Sequence, residues 1–181
     1  MFITIINETI RMIENIYTRT CQEALSMHES GDKQEAILHY IALAAETAAG
    51  YGTAVSILLL DNDGLLRNAA SPQLPDDYLK AIDGLKPNAS VGTCATAAAT
   101  GLIVLTPSFF ADNKWAELRH LPLALGYRGA WSMPIKTADN IVIGTFGTYF
   151  RQHREPSDAE VKGTELLVSA VATVLTTQHQ N

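Results

Sequence analysis

The sequence predicts an α+β sandwich: one antiparallel sheet with the terminal helices on one face and short helices and loops over the other. Three observations predict it. Strands come in meander pairs joined by short turns, amphipathic helices stand at both ends, and short helical segments fall between the strand pairs. The 181 residues suit one domain, enough to bury roughly 70% of the unfolded surface around a single core.

The apolar or small positions Ile6, Ile10, Ile13, Tyr17, Thr20, Ala24 and Met27 alternate spacings of four and three, a heptad seam widened by Ile16 and weakened by Thr20. They predict a long amphipathic helix over residues 1–30 that wants a partner, with Gly31 in the stop position. The remainder, 31–181, forms the sandwich. A second helix is expected from about Asp32 to Ala49, with Ile37, Tyr40, Ile41, Ala44, Ala45 and Ala48 on one face and Gly50 beyond its end. "TAVSILLLD" (53–61) and "LLRNAAS" (65–71), flanking the turn triplet "NDG", make a hairpin. A short helix near Asp76 to Ile82 follows a Pro-containing loop. The uncharged stretch "SVGTCATAAATG" (90–101) then puts Cys94 on the first turn of a short helix, with Gly101 in the C′ position. "LIVLT" (102–106) reads as a strand, and a helix is expected over roughly Lys114 to Leu125, closed by Gly126. Two long strands, "YRGAWSMPIKT" and "IVIGTFGTYF", join at "ADN". The last helix opens on a capping box, Ser157 with Glu160, and carries Leu167, Ala170, Val171 and Val174 on one face.

With 13 basic against 19 acidic residues and no Lys/Arg cluster, nucleic acid and anionic membrane surfaces are not expected partners. The opening "MFITIINETI" carries Glu8 and lacks both a basic leader and a cleavage site, so no export is expected. No apolar run approaches the roughly 20 residues of a membrane span. Two well-separated cysteines, Cys21 and Cys94, fit a reducing, bacterial-type cytoplasm.

Cys94 has two readings. A thiol near a helix N-terminus can be reactive, yet no basic residue lies between Lys86 and Lys114, and free cysteine is among the most buried residue types. The second reading, a small buried residue shaping a pocket, is preferred. The five histidines show neither an i, i+4 pair nor an accompanying CxxC, which argues against a metal site; His120 is the histidine near the expected pocket, and a single histidine would suffice for haem. The segment "WAELRHLPLALGYRGAWSMP" gathers Trp115, Arg119, His120, Arg128, Trp131 and Ser132, aromatic walls with polar hooks of the kind a small-ligand site needs. Arg119 and Arg128 either clamp an anion or carboxylate or form surface ion pairs with Glu117 or Asp112. Phosphate-loop, paired-carboxylate, GxSxG and dinucleotide signatures are all missing, so hydrolase and dehydrogenase readings have no support.

The segments "SILLLDNDGLLRNAASPQLPDDYLKAIDGL", "SVGTCATAAATG", "WAELRHLPLALGYRGAWSMPI" and "IGTFGTYFRQHREPS", over about Thr53 to Leu175, resemble a GAF domain, especially those of bacterial sensor histidine kinases and cyclic-diguanylate enzymes. The resemblance implies a six-stranded antiparallel sheet, with the N- and C-terminal helices on one face and a ligand pocket on the other. It also implies a sensor and not an enzyme. The implied ligand-binding residues are Cys94, Trp115, Arg119, His120, Arg128, Trp131, Ser132 and Phe146. A stand-alone homodimer signalling through its helices to a histidine kinase or other signalling protein is the leading expectation, with an unidentified small-molecule ligand. The catalytic relatives, free-methionine-sulfoxide reductases, also carry a cysteine at the Cys94 position. They need further cysteines in the segment that here reads "HLPLALGYRGA", which has none. A thiol enzyme or redox switch using Cys94 is one alternative, and a protein-interaction module with a degenerate pocket is the other.

Overall fold

The structure, a computed structural model, describes residues 2–177, with side chains from Glu8 onward. Ile6, the first position of the seam, therefore lies outside the described side chains. The chain runs α1 (Phe2–Glu29), α2 (Gln34–Ala49), β1 (Ala54–Leu60), β2 (Leu66–Ala70), α3 (Asp76–Ile82), α4 (Thr93–Thr100), β3 (Val104–Thr106), a 3-10 turn (Asn113–Trp115), α5 (His120–Ala124), β4 (Gly129–Lys136), β5 (Val142–Phe150) and α6 (Asp158–Thr176). The sheet has the order β2-β1-β5-β4-β3, antiparallel throughout.

It has five strands where six were expected. Beyond α3 the chain meets β2 through a single bridge, Leu66 to Leu85, with Leu66 N–H donating to Leu85 O at 2.9 Å. Gly84, at φ 74°, turns the chain in, and Pro87 follows two residues after Leu85 with no N–H to continue a ladder. The helix expected over Lys114 to Leu125 is likewise divided into the 3-10 turn and a short α5. Pro122 has no N–H to donate to Leu118, and the flanking bonds are short-range, such as Leu121 N–H to Leu118 O.

One face of the sheet packs against helices. Val55, Ile57, Trp131, Met133, Ile135, Phe146 and Phe150 join Ile37 and Ile41 of α2 and Leu167, Val171 and Val174 of α6 in one core. Leu38 and Ala42 also belong to the buried face of α2, while Tyr40 and Ala44 are only half-buried. The C-terminal half of α1 is part of the same core: Tyr17, Thr20 and Ala24 are buried, and a side chain at Gly163 of α6 would overlap the Tyr17 ring. The heptad seam thus finds its partner within the chain from Tyr17 onward, whereas Ile10 and Met12 remain exposed. The capping box forms as expected, and Glu160 also takes a two-pronged bond from Arg154, at 2.9 and 2.7 Å. The guanidinium of Arg154 stacks on Phe150, which fixes the end of β5 to the start of α6.

Candidate functional site

Strand alternation decides which side chains reach the opposite face of the sheet. With Trp131, Met133 and Phe146 facing the helices, the intervening Ser132, Thr145 and Gly147 face α4, as do Ser56 and Leu58 of β1. Trp131 and Phe146, expected in the pocket beside Ser132, therefore belong to the helix-side core. Neighbours along one strand cannot share a face.

Over this second face lie α3, α4 and the 107–128 segment, packed through Tyr78, Ile82, Phe109, Trp115, Tyr127 and Tyr149. Tyr78 OH donates to Tyr149 OH at 3.1 Å, and the two rings meet edge to face. Trp115 tilts against Phe109 with centroids 4.5 Å apart. Its indole N–H donates to Thr93 Oγ1 (2.9 Å), whose hydroxyl donates to Thr106 Oγ1 (3.0 Å), which donates in turn to Asp112 Oδ2 (3.0 Å). Burial would raise the Asp112 carboxyl, but Lys114, through its ammonium and its backbone N–H, and Thr106 together hold it below the usual range. This relay ties the start of α4 to β3 and the 3-10 turn. Of its members, sequence reasoning placed only Trp115 in the pocket and named Asp112 only as an ion-pair partner for an arginine.

Cys94 lies under this cover, 8% exposed. Its Sγ packs so closely on the sheet that a Cβ at Gly147 would sit 2.7 Å away. The Ser56, Ser132 and Thr145 hydroxyls surround it, and none of the three oxygens completes a hydrogen bond of good geometry among the described residues. Burial pushes the thiol up, against the weaker downward pull of these hydroxyls. Beside it is a cavity of about 20 Å³ bounded by Leu58, Tyr78, Cys94, Trp115 and Tyr149, room for about one water. Gly147→Ala is expected to lift α4 and destabilise the chain by about 1–3 kcal/mol. Urea unfolding in a Cys94→Ala background, where the crowded sulfur is gone, should recover most of that loss.

The arginines do not reach this cavity. Arg119 donates from Nη1 to Phe110 O at 2.9 Å, a staple across its own loop, and Asp112 pairs with Lys114 and not with an arginine. Arg128 is half-buried; its backbone bonds Phe150 and Phe109, and no side-chain partner is seen among the described residues. His120 is exposed on α5 and does not line the cavity. Thus Cys94, Trp115 and Ser132 are brought together, while Arg119, His120, Arg128, Trp131 and Phe146 are not. The residues missed are Ser56, Tyr78, Thr93, Thr145 and Tyr149. Ser56 left a signal, a lone hydroxyl inside the apolar run "AVSILLL".

A family model for the GAF domain matches residues 33–176. A methyl sulfide methyltransferase-associated sensor of Methanosarcina acetivorans is 32% identical over 112 residues, 61% of this chain but 11% of that protein. The GAF domain of an Acinetobacter phosphoenolpyruvate-protein phosphotransferase is similar in structure, with TM-score 0.68 and 18% identity over 89% of this chain and 93% of that one. So is the free methionine-R-sulfoxide reductase of Neisseria meningitidis, solved with its substrate: TM-score 0.71, 14% identity, 91% of this chain and 89% of that one. At these identities the two structures speak for the fold alone.

Proposed function

Since the chain belongs to the GAF domain family, we propose that it is a cytoplasmic sensory domain that binds a small molecule between α4 and the sheet and signals through its terminal helices. The observation that carries this reading is the buried set of hydroxyls, Ser56, Ser132 and Thr145, around Cys94, none of which completes a hydrogen bond of good geometry among the described residues. A core built only for stability would fill this layer with apolar side chains, because each unsatisfied buried hydroxyl costs about 1–3 kcal/mol. A polar ligand reaching past α4 would satisfy them. The 20 Å³ cavity is far below the roughly 300–1,000 Å³ of a drug-sized pocket, so entry requires α4 and the Trp115 segment to move outward. Such a ligand selects the open arrangement by its differential affinity.

Signalling would run through the sheet. The strands that present Ser132 and Thr145 to Cys94 present Trp131 and Phe146 to the helix-side core, and α6 packs closely on α1 at Gly163 and Tyr17. Exposed Ile10 and Met12 on α1 would pair with a second copy or an output protein. Sedimentation at micromolar concentration should show a dimer, weakened by Ile10→Glu with Met12→Glu; a stable monomer would remove the self-pairing step.

The domain is proposed to act without catalysis. Burial raises the Cys94 thiol, and no histidine, lysine or arginine is among the groups that shift it, so an activated thiolate has no source here. Iodoacetamide at neutral pH is expected to alkylate Cys94 at least about 100-fold more slowly in the folded chain than in urea, and more slowly still with a small-molecule cell extract present. Fast labelling would revive the thiol reading, and a folded-state rate indifferent to the extract would count against ligand entry past α4.

A further inference from the structure

A second cleft, of about 380 Å³, lies where β1 begins and β5 ends, lined by Glu46, Tyr51, Gln73, Tyr127 and Arg151 among others. None of these residues borders the cavity beside Cys94. Glu46 stands in the last turn of α2, where the helix dipole disfavours a negative charge, and it is 6% exposed. Its Oε1 accepts the Val55 N–H at 3.0 Å; the Gln73 N–H also lies near the carboxylate, but Oε2 completes no hydrogen bond of good geometry among the described residues.

Arg151 is held with equal care. Its side chain passes two glycines in the left-handed region, Gly52 at φ 79° and Gly126 at φ 83°; a Cβ would lie 2.9 Å from its Cδ at the first and 2.5 Å from its Nη1 at the second. The guanidinium lies over the Tyr127 ring, 4.9 Å from the centroid, and donates to Leu125 O at 2.7 Å. Among the described residues neither Glu46 nor Arg151 forms a salt bridge, although the Tyr127 phenol feels both charges. A buried carboxyl and a held guanidinium in one cleft, neither in a salt bridge among the described residues, match a ligand that carries both complementary charges itself.

We propose that this cleft binds a small zwitterion of the free α-amino acid class, with its ammonium on Glu46 Oε2 and its carboxylate on the Arg151 fork. Tyr51, fully exposed at the rim, offers an aromatic surface to the ligand's side chain. The site is independent of the cavity under α4, so either can fail without the other.

Binding also moves a proton. Burial pushes the Glu46 carboxyl up to about 7, so a bound ammonium draws it to the ionised form and affinity rises with pH through that region. The other ionisable groups facing it across the cleft are the Tyr127 phenol, itself raised by burial, and the Arg151 cation.

The test titrates the full chain, by calorimetry and amide NMR, with each common L-amino acid, and with n-butylamine and butyrate as single-charge controls. The expected result is binding of at least one amino acid and of neither control, with shifts at the Gly52 and Gly126 amides and proton release at pH 7. Glu46→Gln, which keeps the acceptor for Val55, and Arg151→Lys, which keeps the cation, should each weaken binding about tenfold or more. No binding by any amino acid, equal binding of a single-charge control, shifts confined to Cys94 and Gly147, or full affinity in both variants would overturn the proposal. The amide shifts locate the site without any mutation, so the test stands even if a variant folds poorly.

Discussion

Trp131→Ala is expected to destabilise the chain by about 3–5 kcal/mol, the range for removing a buried aromatic from a packed core. Trp131 is 2% exposed, sits opposite Leu105 of β3 and Thr148 of β5 in the sheet register, and is part of the layer that joins the sheet to the helices. Its loss leaves a cavity that the neighbouring strands, held by ladders on both sides, cannot collapse into. Ser132→Ala, one residue along on the opposite face, is expected to change stability by less than about 1 kcal/mol, because the hydroxyl it removes has only the weakly interacting Cys94 thiol to lose. Urea unfolding of the two variants separates a core residue from a site residue. Similar small losses for both would place Trp131 outside the core.

Stability is expected to fall by up to about 3 kcal/mol between pH 4 and pH 8 through Glu46 alone. Desolvation raises its carboxyl from an ordinary 4.5 to about 7, against the pull of the Val55 and Gln73 N–H groups. Because the folded value lies above the unfolded one, the folded chain binds the proton more tightly, and this contribution is complete below about pH 4.5. It is lost as the pH rises through about 7. The difference between the two values corresponds to about 3 kcal/mol. Glu46→Gln keeps the acceptor and removes the charge, so its stability profile should lack this fall and lie above that of the unaltered chain at pH 8. Thermal melts across the range check this; parallel profiles would show that Glu46 ionises freely in the fold.

The local signals in the sequence were sound wherever one residue type answers one backbone demand. Gly101 takes the left-handed C-cap of α4, Ser157 and Glu160 form their box, and the helix at Asp76–Ile82 lies where its pattern put it. The broken helix near Pro122 was also written in the chain, as a residue without a donor, though periodicity alone passed over it; the residue pattern itself held five strands, and only the family resemblance implied a sixth. Site residues were harder to read for a different reason. Alternation makes Trp131 and Ser132 mutually exclusive, but which of them faces the ligand depends on what packs from α2 and α6, far away in sequence. The hydroxyls around Cys94 come from three strands, and Glu46 meets Arg151 only after the sheet has formed, so no window of sequence holds either cluster.

The most direct measurement is native mass spectrometry of the full chain after incubation with a small-molecule cell extract, beside a Ser132→Ala, Thr145→Val double variant that melts at the same temperature. The expected result is an added small-molecule mass on the unaltered chain that is lost on denaturation and missing from the variant. The same mass on both proteins, or none on either across extracts, would contradict a ligand site beneath α4.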